Sequence, residues 1–447
     1  MRALIDRLVV SLRSASTAGG AKATNQDDFT TLLKDGKQNE AETLARRHIA
    51  SDVRRGFYLG QLIDHFAKTS RSTEIVRLFD EYAGEKALTG YPRQIVLATA
   101  LVDAGEFDRA RPLLLDLIMG YNFAAPLQLY RRLPPTLDSV SMAVAAFNRS
   151  TRSANARVSH TIQLVDIAIA ARELGRAAFM MESLLDVVGS TRFATLPKPK
   201  AAMKPSSGNA ALVDLYDLLM PAVPFFLISG TLLGVIREGK LLGGDKDVDV
   251  GIMGGEHTGV IRAKVAASPK FKEQFVPSVD LIKLTHRNGV KIDVFLHHRE
   301  GDVLWHGSHL HAWDNRVWWK EGEPPLIEHE YAGRPFLIPS DPDMYLTDNY
   351  GDWRTPRCDY DASLEAPNRR VRAPQLTRLH WQKLIIRYYM DAELSLLSKA
   401  FRYYEQEFGA DAFLRRAGVL LILKPHHVDS SEVVGPLAEV VEMHGRR

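Results

Sequence analysis

At 447 residues the chain is long enough for two or three domains with buried cores, and 45% hydrophobic with 25% charged residues is an ordinary globular balance. The formal charge of +3 gives no ground for expecting nucleic acid as a partner, and the single cysteine, Cys358, excludes an intramolecular disulfide and a cysteine-only zinc cage. No stretch reaches the roughly 18 to 20 apolar residues that a membrane span requires.

The N-terminal segment 1–24 alternates apolar pairs with Arg2, Arg7 and Arg13. It reads as a basic amphipathic helix, and the sharper reading lays it on an anionic membrane surface. Its apolar run is too short for the core of a signal peptide. The expected location is cytoplasmic, with peripheral contact at the inner face of the membrane as the alternative.

Residues 25–189 read as a helical repeat domain. Four segments share an apolar helix end, a turn residue and a second amphipathic helix, centred on Gly36, Ser70, Gly105 and Gly175. Three of the centres lie a near-constant distance apart and the fourth lies two such steps on, which is the rhythm of tetratricopeptide-like arrays, about 34 residues. Gly36 and Gly105 suit the left-handed residue that ends a helix. The stretch 122–135 holds three prolines and breaks the rhythm. Residues 190–209 form a linker: Pro197, Pro199 and Pro205 alternate with Lys198, Lys200 and Lys204, and no acidic residue occurs from Val187 to Val213.

The domain expected at 210–365 opens with a short amphipathic helix from Leu212 to Met220 and a buried strand from Val223 to Ile228. Ser229-Gly230-Thr231 follows and runs into another helix. A strand that passes through a glycine into a helix leaves free backbone N–H groups, which favour an anion. Next comes Gly243-Gly244-Asp245-Lys246-Asp247-Val248-Asp249-Val250-Gly251-Ile252. On a strand, Asp245, Asp247 and Asp249 share one face and the valines the other. Carboxylates so close raise one another's pKa values unless a cation neutralises them, and oxygen-only ligands select Mg2+ or Mn2+. Val290-Lys291-Ile292-Asp293-Val294-Phe295 sets one more aspartate inside an apolar strand, where an unpaired carboxylate is costly. An EF-hand loop is the alternative, but its glycine at the sixth position is missing, because Val250 stands there.

Residues 230–237 with Gly239, the Asp-x-Asp-x-Asp run, Ile292-Asp293-Val294-Phe295 and the later Tyr350-Gly351-Asp352-Trp353 with Thr355-Pro356 resemble the LicD/fukutin-related phosphotransferases. The resemblance covers roughly residues 212–361 and implies the nucleotidyltransferase fold. It implies transfer of a phospho-alcohol, of the ribitol-phosphate or phosphocholine type, from a CDP-activated donor to a glycan or lipid-linked glycan, as in the synthesis of capsule-like polysaccharides. By that resemblance Gly230 and Thr231 contact donor phosphate, Asp247, Asp249 and Asp293 hold Mg2+ or Mn2+, and Asp245 supports the metal or acts as base. One departure is Gly243-Gly244, where the family usually has Pro-Trp.

Arg237, Lys291, Tyr350 and Trp353 complete the donor-binding candidates: Arg237 for phosphate, because guanidinium forks suit its oxygens, and the aromatics for stacking on a base or sugar. Trp318 and Trp319 share the aromatic alternative, with core packing as its rival. His297, His298, His306, His309 and His311 crowd one segment and raise the question of zinc, without a recognised ligand spacing. Arg369, Arg370, Arg372 and Arg378 precede a long helical stretch, 375–408, and read either as a grip on an anionic polymer or as a solvated face.

The expectation is therefore an α+β chain: tetratricopeptide-like helical repeats, a linker, a mixed-sheet nucleotidyltransferase-fold domain, and a C-terminal helical segment at 366–447. The repeats would bind an acceptor carrier, a protein partner or a second copy. Two rival functions stand beside phosphotransfer: nucleotidyl transfer with release of pyrophosphate, and a repeat scaffold carrying an inactive transferase domain.

Overall fold

The computed structural model describes residues 26–189 and 202–422, with short interruptions that include 150–153, 309–311 and 319–324. The N-terminal basic segment, the Pro- and Lys-rich stretch 190–201, Ser70, His309, His311, Trp319 and Cys358 lie outside the described residues. Among the described residues no helix is long and apolar enough to cross a membrane. The chain divides into two compact units, one ending at Ala156 and the other beginning at Arg157.

The first unit is helical throughout: α1 (Gln26–Lys34), α2 (Gln38–Ala50), α3 (Arg55–Lys68), α4 (Ser72–Glu81), α5 (Tyr91–Asp103), α6 (Phe107–Gly120), α7 (Ala125–Tyr130) and α8 (Ser139–Asn148). Gly36 and Gly105 end α1 and α5 with φ of 76° and 78°, as expected of glycines at that position. One side of each helix is apolar and buried, for example Leu59, Leu62, Ile63 and Phe66 of α3. A second regularity binds the array. Glu42, Asp64, Asp80 and Asp103 pair with Arg71, Arg93, Arg109 and Arg132, each 29 residues further along. A carboxylate on one helix thus meets a guanidinium of the next hairpin at nearly constant spacing.

One expectation about this half is corrected. Gly175 is not a turn; it lies inside α10 (Leu174–Gly189), and the chain reverses at Arg172, whose φ is 62°. Residues 157–189 fall in the second compact unit rather than with the preceding helices. They form most of α9 (Ala154–Ala170) and all of α10, and α10 packs on α16 (Pro374–Met390). Lys383 bonds Asp166, and Arg416 bonds Asp186 at 2.5 Å. Hydrophobic periodicity identifies a helix but not its partner, so this exchange was invisible in the sequence.

In the second unit α11 (Pro205–Leu219) begins inside the expected linker, because Pro205 suits the first helical turn. Then come β1 (Phe225–Leu227), α12 (Ser229–Glu238), β2 (Asp247–Met253), α13 (Thr258–Ala267), β3 (Phe271–Gln274), β4 (Leu281–His286), β5 (Lys291–Glu300), β6 (Val303–Ser308), β7 (Trp313–Trp318), β8 (Leu326–Tyr331) and β9 (Arg334–Pro339). They are followed by α14 (Pro342–Tyr350), α15 (Ala362–Glu365), β10 (Arg369–Val371), α16, α17 (Leu394–Phe408) and α18 (Ala412–Ala417). The strands form one mixed sheet in the order β10-β7-β6-β5-β2-β1-β9-β8, with β4 on β5 and β3 on β4. β1 and β2 are antiparallel, whereas β2 and β5 are parallel. The α+β architecture expected from the sequence is present.

Alternation builds the core. Val248, Val250 and Ile252 of β2 and Ile292, Val294 and Leu296 of β5 are buried with Leu212, Leu215 and Leu219 of α11. Burial of each such side chain is worth about 1.5–3 kcal/mol. The opposite face of the same strands is left for Asp249 and Asp293. Asp245 is not on that strand as expected: β2 starts at Asp247, and Asp245 sits in the preceding turn. The helical stretch expected over 375–408 is present as two helices that break at Ala392, whose φ is 56°.

Candidate active site

Three elements converge at the C-terminal end of β1. The first is the start of α12. Ile228 is extended with φ of −137°, and Ser229 turns the chain with φ of 48°, a left-handed conformation that costs a non-glycine residue about 1 kcal/mol or more. The helix closes when the Leu232 N–H donates to Ile228 O at 3.0 Å, which leaves the N–H groups of Gly230 and Thr231 without an intrahelical acceptor. The Thr231 side chain is committed elsewhere. It is 1% exposed, and its Oγ1 accepts the Asp249 N–H at 2.8 Å, locking α12 onto β2. Any contact with an anion would therefore come from its backbone.

The second element is the loop that carries Asp245. Gly234 lets α12 lie against it: a Cβ there would stand 2.6 Å from Lys240 O and 2.9 Å from the Leu242 nitrogen. Asp245 then lies across the helix start, where a Cβ on Gly230 would stand 2.3 Å from its Oδ2. A side chain at position 230 would therefore displace the Asp245 carboxylate.

The third element is the sheet. Parallel pairing sets Asp247 opposite Lys291 and Asp249 opposite Asp293, while antiparallel pairing sets Lys283 of β4 opposite Asp293. Lys283 Nζ lies 2.5 Å from Asp293 Oδ2. The other oxygen, Oδ1, is buried without a hydrogen-bond partner. Sequence reading missed Lys283, since only strand register brings β4 beside Asp293.

The electrostatics follow. Burial, then the neighbouring Asp247, pushes the Asp245 carboxyl up to about 6. Burial, then Asp247 and Asp293, holds Asp249 well above the ordinary carboxylate range. Asp293 is raised by burial against the opposing pull of Lys283. Among the described residues no three His, Cys, Asp or Glu side chains are already drawn together as a cage. The donor set nevertheless fits a hard cation: it is all oxygen, its charges are mutually unfavourable, and one of its oxygens is buried with no partner. Asp247, Asp249 and Asp293 are the residues that could hold Mg2+ or Mn2+.

The remaining candidates fall in different places. Lys291 is exposed beside Asp247. Arg237 is a brace, since Nη1 donates to Trp353 O at 3.0 Å and Nη2 to Glu238 at 3.0 Å. Trp353 is 7% exposed, its Nε1 donates to Asp343 at 3.1 Å, and Arg354 covers its ring, so its place is the core. Tyr350 is pushed up by burial and then by the Asp249 charge, which sets its phenol beside the cluster. Tyr345, missed in the sequence, accepts a hydrogen bond from the Ser229 N–H at 3.4 Å and is raised by burial.

Of the histidines, His297 and His306 are buried with ring centroids 4.9 Å apart, and His298 pairs with Asp280 at 2.8 Å. Burial depresses both buried rings, His306 to about 4, which keeps them neutral at pH 7. His297 lines a mostly apolar cavity with Phe226, Leu304, Pro339, Met344 and Tyr345. The arginine cluster stays largely exposed while making local contacts. Arg369 stacks on Trp381 and donates to Ser363 O, Arg372 pairs with buried Asp314, and Arg378 lies over Phe408; Arg370, Arg372 and Arg378 are exposed.

Residues 222–341 match the nucleotidyltransferase domain described as LicD/FKTN/FKRP. The mouse (Mus musculus) protein named ribitol-5-phosphate transferase FKTN is 30% identical over 150 residues, 33% of this chain and 32% of that protein. Its human (Homo sapiens) counterpart is 29% identical over 150 residues, with the same shares. The chain thus spans about a third of the length of the curated relatives it matches.

Proposed function

Because its central domain belongs to the LicD/FKTN/FKRP nucleotidyltransferase family, we propose that this chain is a phosphotransferase that moves a phospho-alcohol from a CDP-activated donor to a glycan. The observation that carries the reading is the juxtaposition of Asp249 and Asp293 on paired strands with the start of α12, where Thr231 bonds the Asp249 N–H and Asp245 lies on Gly230. A ribitol-phosphate or phosphocholine-type group is the alcohol class that fits the family, and a surface glycan or lipid-linked glycan is the acceptor class.

The acceptor hydroxyl attacks phosphorus in line. An oxygen–phosphorus bond forms, the bond to the nucleoside monophosphate breaks, and CMP leaves with the electron pair. The hydroxyl proton passes to a carboxylate, and Asp245, raised to about 6, is matched to that work near neutral pH. Backbone N–H groups at Gly230 and Thr231 orient the phosphate, with Lys291 at the rim. A bound Mg2+ or Mn2+ would neutralise charge that develops on the transferred group and the leaving group. Positioning and electrostatics supply most of the rate in such transfers.

The helical unit, read as a tetratricopeptide-like array, would dock the acceptor carrier, a protein partner or a second copy of the chain, and the enzyme would work at the cytoplasmic side of a membrane. The test is product release by the purified chain with Mn2+ or Mg2+, a panel of CDP- and UDP-linked donors, and a glycan extract as acceptor. Acceptor-dependent CMP, lost in Asp249→Asn, supports the reading. Pyrophosphate released from a nucleoside triphosphate favours nucleotidyl transfer instead, and no turnover or nucleotide binding favours the scaffold.

A further inference from the structure

On the premise that the carboxylate cluster holds a divalent cation, we propose that Lys283 is a positioning residue that acts as the cluster's resident monovalent cation. It restricts Asp293 to one coordinating oxygen and the centre to a single metal ion.

The argument starts from register. Asp249, Asp293 and Lys283 occupy directly paired positions on three adjacent strands, β2, β5 and β4. Paired residues on neighbouring strands project to the same face, with strands about 4.8 Å apart. The three groups therefore form a row across the sheet. Within that row the two oxygens of Asp293 have different neighbours: Oδ2 takes the Lys283 ammonium at 2.5 Å, and Oδ1 is buried with no partner. The side chain of Asp293 is 9% exposed and that of Lys283 33%, so the ammonium covers the carboxylate from the solvent side.

Two further features fix the role. Lysine is a point charge on a flexible stem and donates to a single oxygen readily, whereas a guanidinium tends to engage both oxygens of a carboxylate. A lysine here leaves Oδ1 open. Charge balance gives the second argument. One ammonium and one divalent ion offset Asp247, Asp249 and Asp293 and leave Asp245 as the remaining charge, while a second divalent ion would sit within a few ångströms of the ammonium and be repelled by it. Lys283 thus makes a one-ion centre and keeps Asp293 aimed when the ion is absent.

The experiment titrates Mn2+ into the full chain and its variants, with calorimetry and electron paramagnetic resonance reading stoichiometry and affinity. Wild type is expected to bind one Mn2+ per chain and Asp249→Asn none. Lys283→Met and Lys283→Gln should bind Mn2+ about tenfold more tightly or take up a second ion, because a repelling charge has gone and Oδ2 is released. Turnover number should fall in both while KM for the donor changes little; Lys283→Arg, whose guanidinium would engage both Asp293 oxygens, should take up no second ion and bind the single one more weakly. Thermal melts of each variant with chelator separate loss of fold from loss of function. If both neutral variants bind one Mn2+ no more tightly than wild type, the assignment to Lys283 is overturned. Failure of the wild type to bind Mn2+ overturns the premise of a metal centre and is distinct from that result.

Discussion

In the helical unit, Asp64, Asp80 and Asp103 each face an arginine 29 residues away, and their charges are answered one to one. At the strand end, Asp247, Asp249 and Asp293, with Asp245 in the preceding turn, lie near enough to act on Asp249 electrostatically, and Lys283 is the cation bonded to one of them. The same residue type thus does opposite work. Paired carboxylates at half-exposed helix surfaces join neighbouring hairpins and barely affect stability. Crowded carboxylates at a strand end are unfavourable for the fold, and that disfavour is what makes a site receptive to a cation.

The largest effect should come from the crowded group. Asp249→Asn is expected to abolish CMP release, by about a thousandfold or more, while the metal-free protein melts at the same temperature or slightly higher, since a repulsive charge has been removed. Retained turnover, measured by chromatography of products, would break the contrast between the two groups.

Next is packing around the site. Gly251 lies where a Cβ would stand 2.6 Å from the Phe226 ring and 2.8 Å from His297 Cε1. Gly251→Ala should therefore destabilise the chain by about 1–3 kcal/mol, read by denaturant unfolding, because both rings are buried and must move. Gly230→Ala meets only the movable Asp245 carboxylate at 2.3 Å, so it should cost little stability and lower turnover by about ten- to a hundredfold. Equal stability losses in the two variants would show that Asp245 is as fixed as the core.

The pH dependence separates the regions by sign. Asp245, Asp249 and Asp293 are raised in the folded protein, so between about pH 4 and 6 the folded state binds more protons than the unfolded one. The carboxylate contribution to stability without metal should fall as pH rises through that window, against the opposite contribution of buried His297 and His306, whose lowered pKa values make stability rise with pH up to about 6.5. The paired carboxylates Asp214 and Asp359 are lowered, and their contribution is lost only as pH falls below about 4. Melting curves with chelator test this by comparison with Asp249→Asn, whose gain in melting temperature over wild type should be larger at pH 7 than at pH 5; a gain that does not grow with pH would contradict it. The smallest effect is expected at the exposed Asp80–Arg109 pair, where Arg109→Ala should change stability by less than about 1 kcal/mol.

Reading along the chain identified what depends on local pattern. Alternation of Asp with Val announced a strand with one carboxylate face, glycine after an apolar run announced a helix start, and glycines 36 and 105 announced helix ends; each holds in the structure. Reading did not reveal partners that lie far off in sequence. Arg237 and Trp353 read as donor contacts, and the structure adds that they bond one another across 116 residues. The arginines at 369, 372 and 378 read either as a grip on an anionic polymer or as a solvated face; they contact Trp381, Asp314 and Phe408, and those at 372 and 378 remain exposed.

By itself, then, the sequence determined the helical first half, the strand carrying Asp247 and Asp249, and Asp293 as their companion, because side-chain direction on a strand repeats every two residues wherever the strand lies. Tertiary structure alone decided that Lys283 stands on Asp293, that Asp245 lies on Gly230, and that residues 157–189 join the C-terminal helices. Those outcomes depend on strand register and helix docking, which are settled by the packing of apolar faces that look alike in sequence, and the chemistry of the site is set by whichever charged groups that packing brings together.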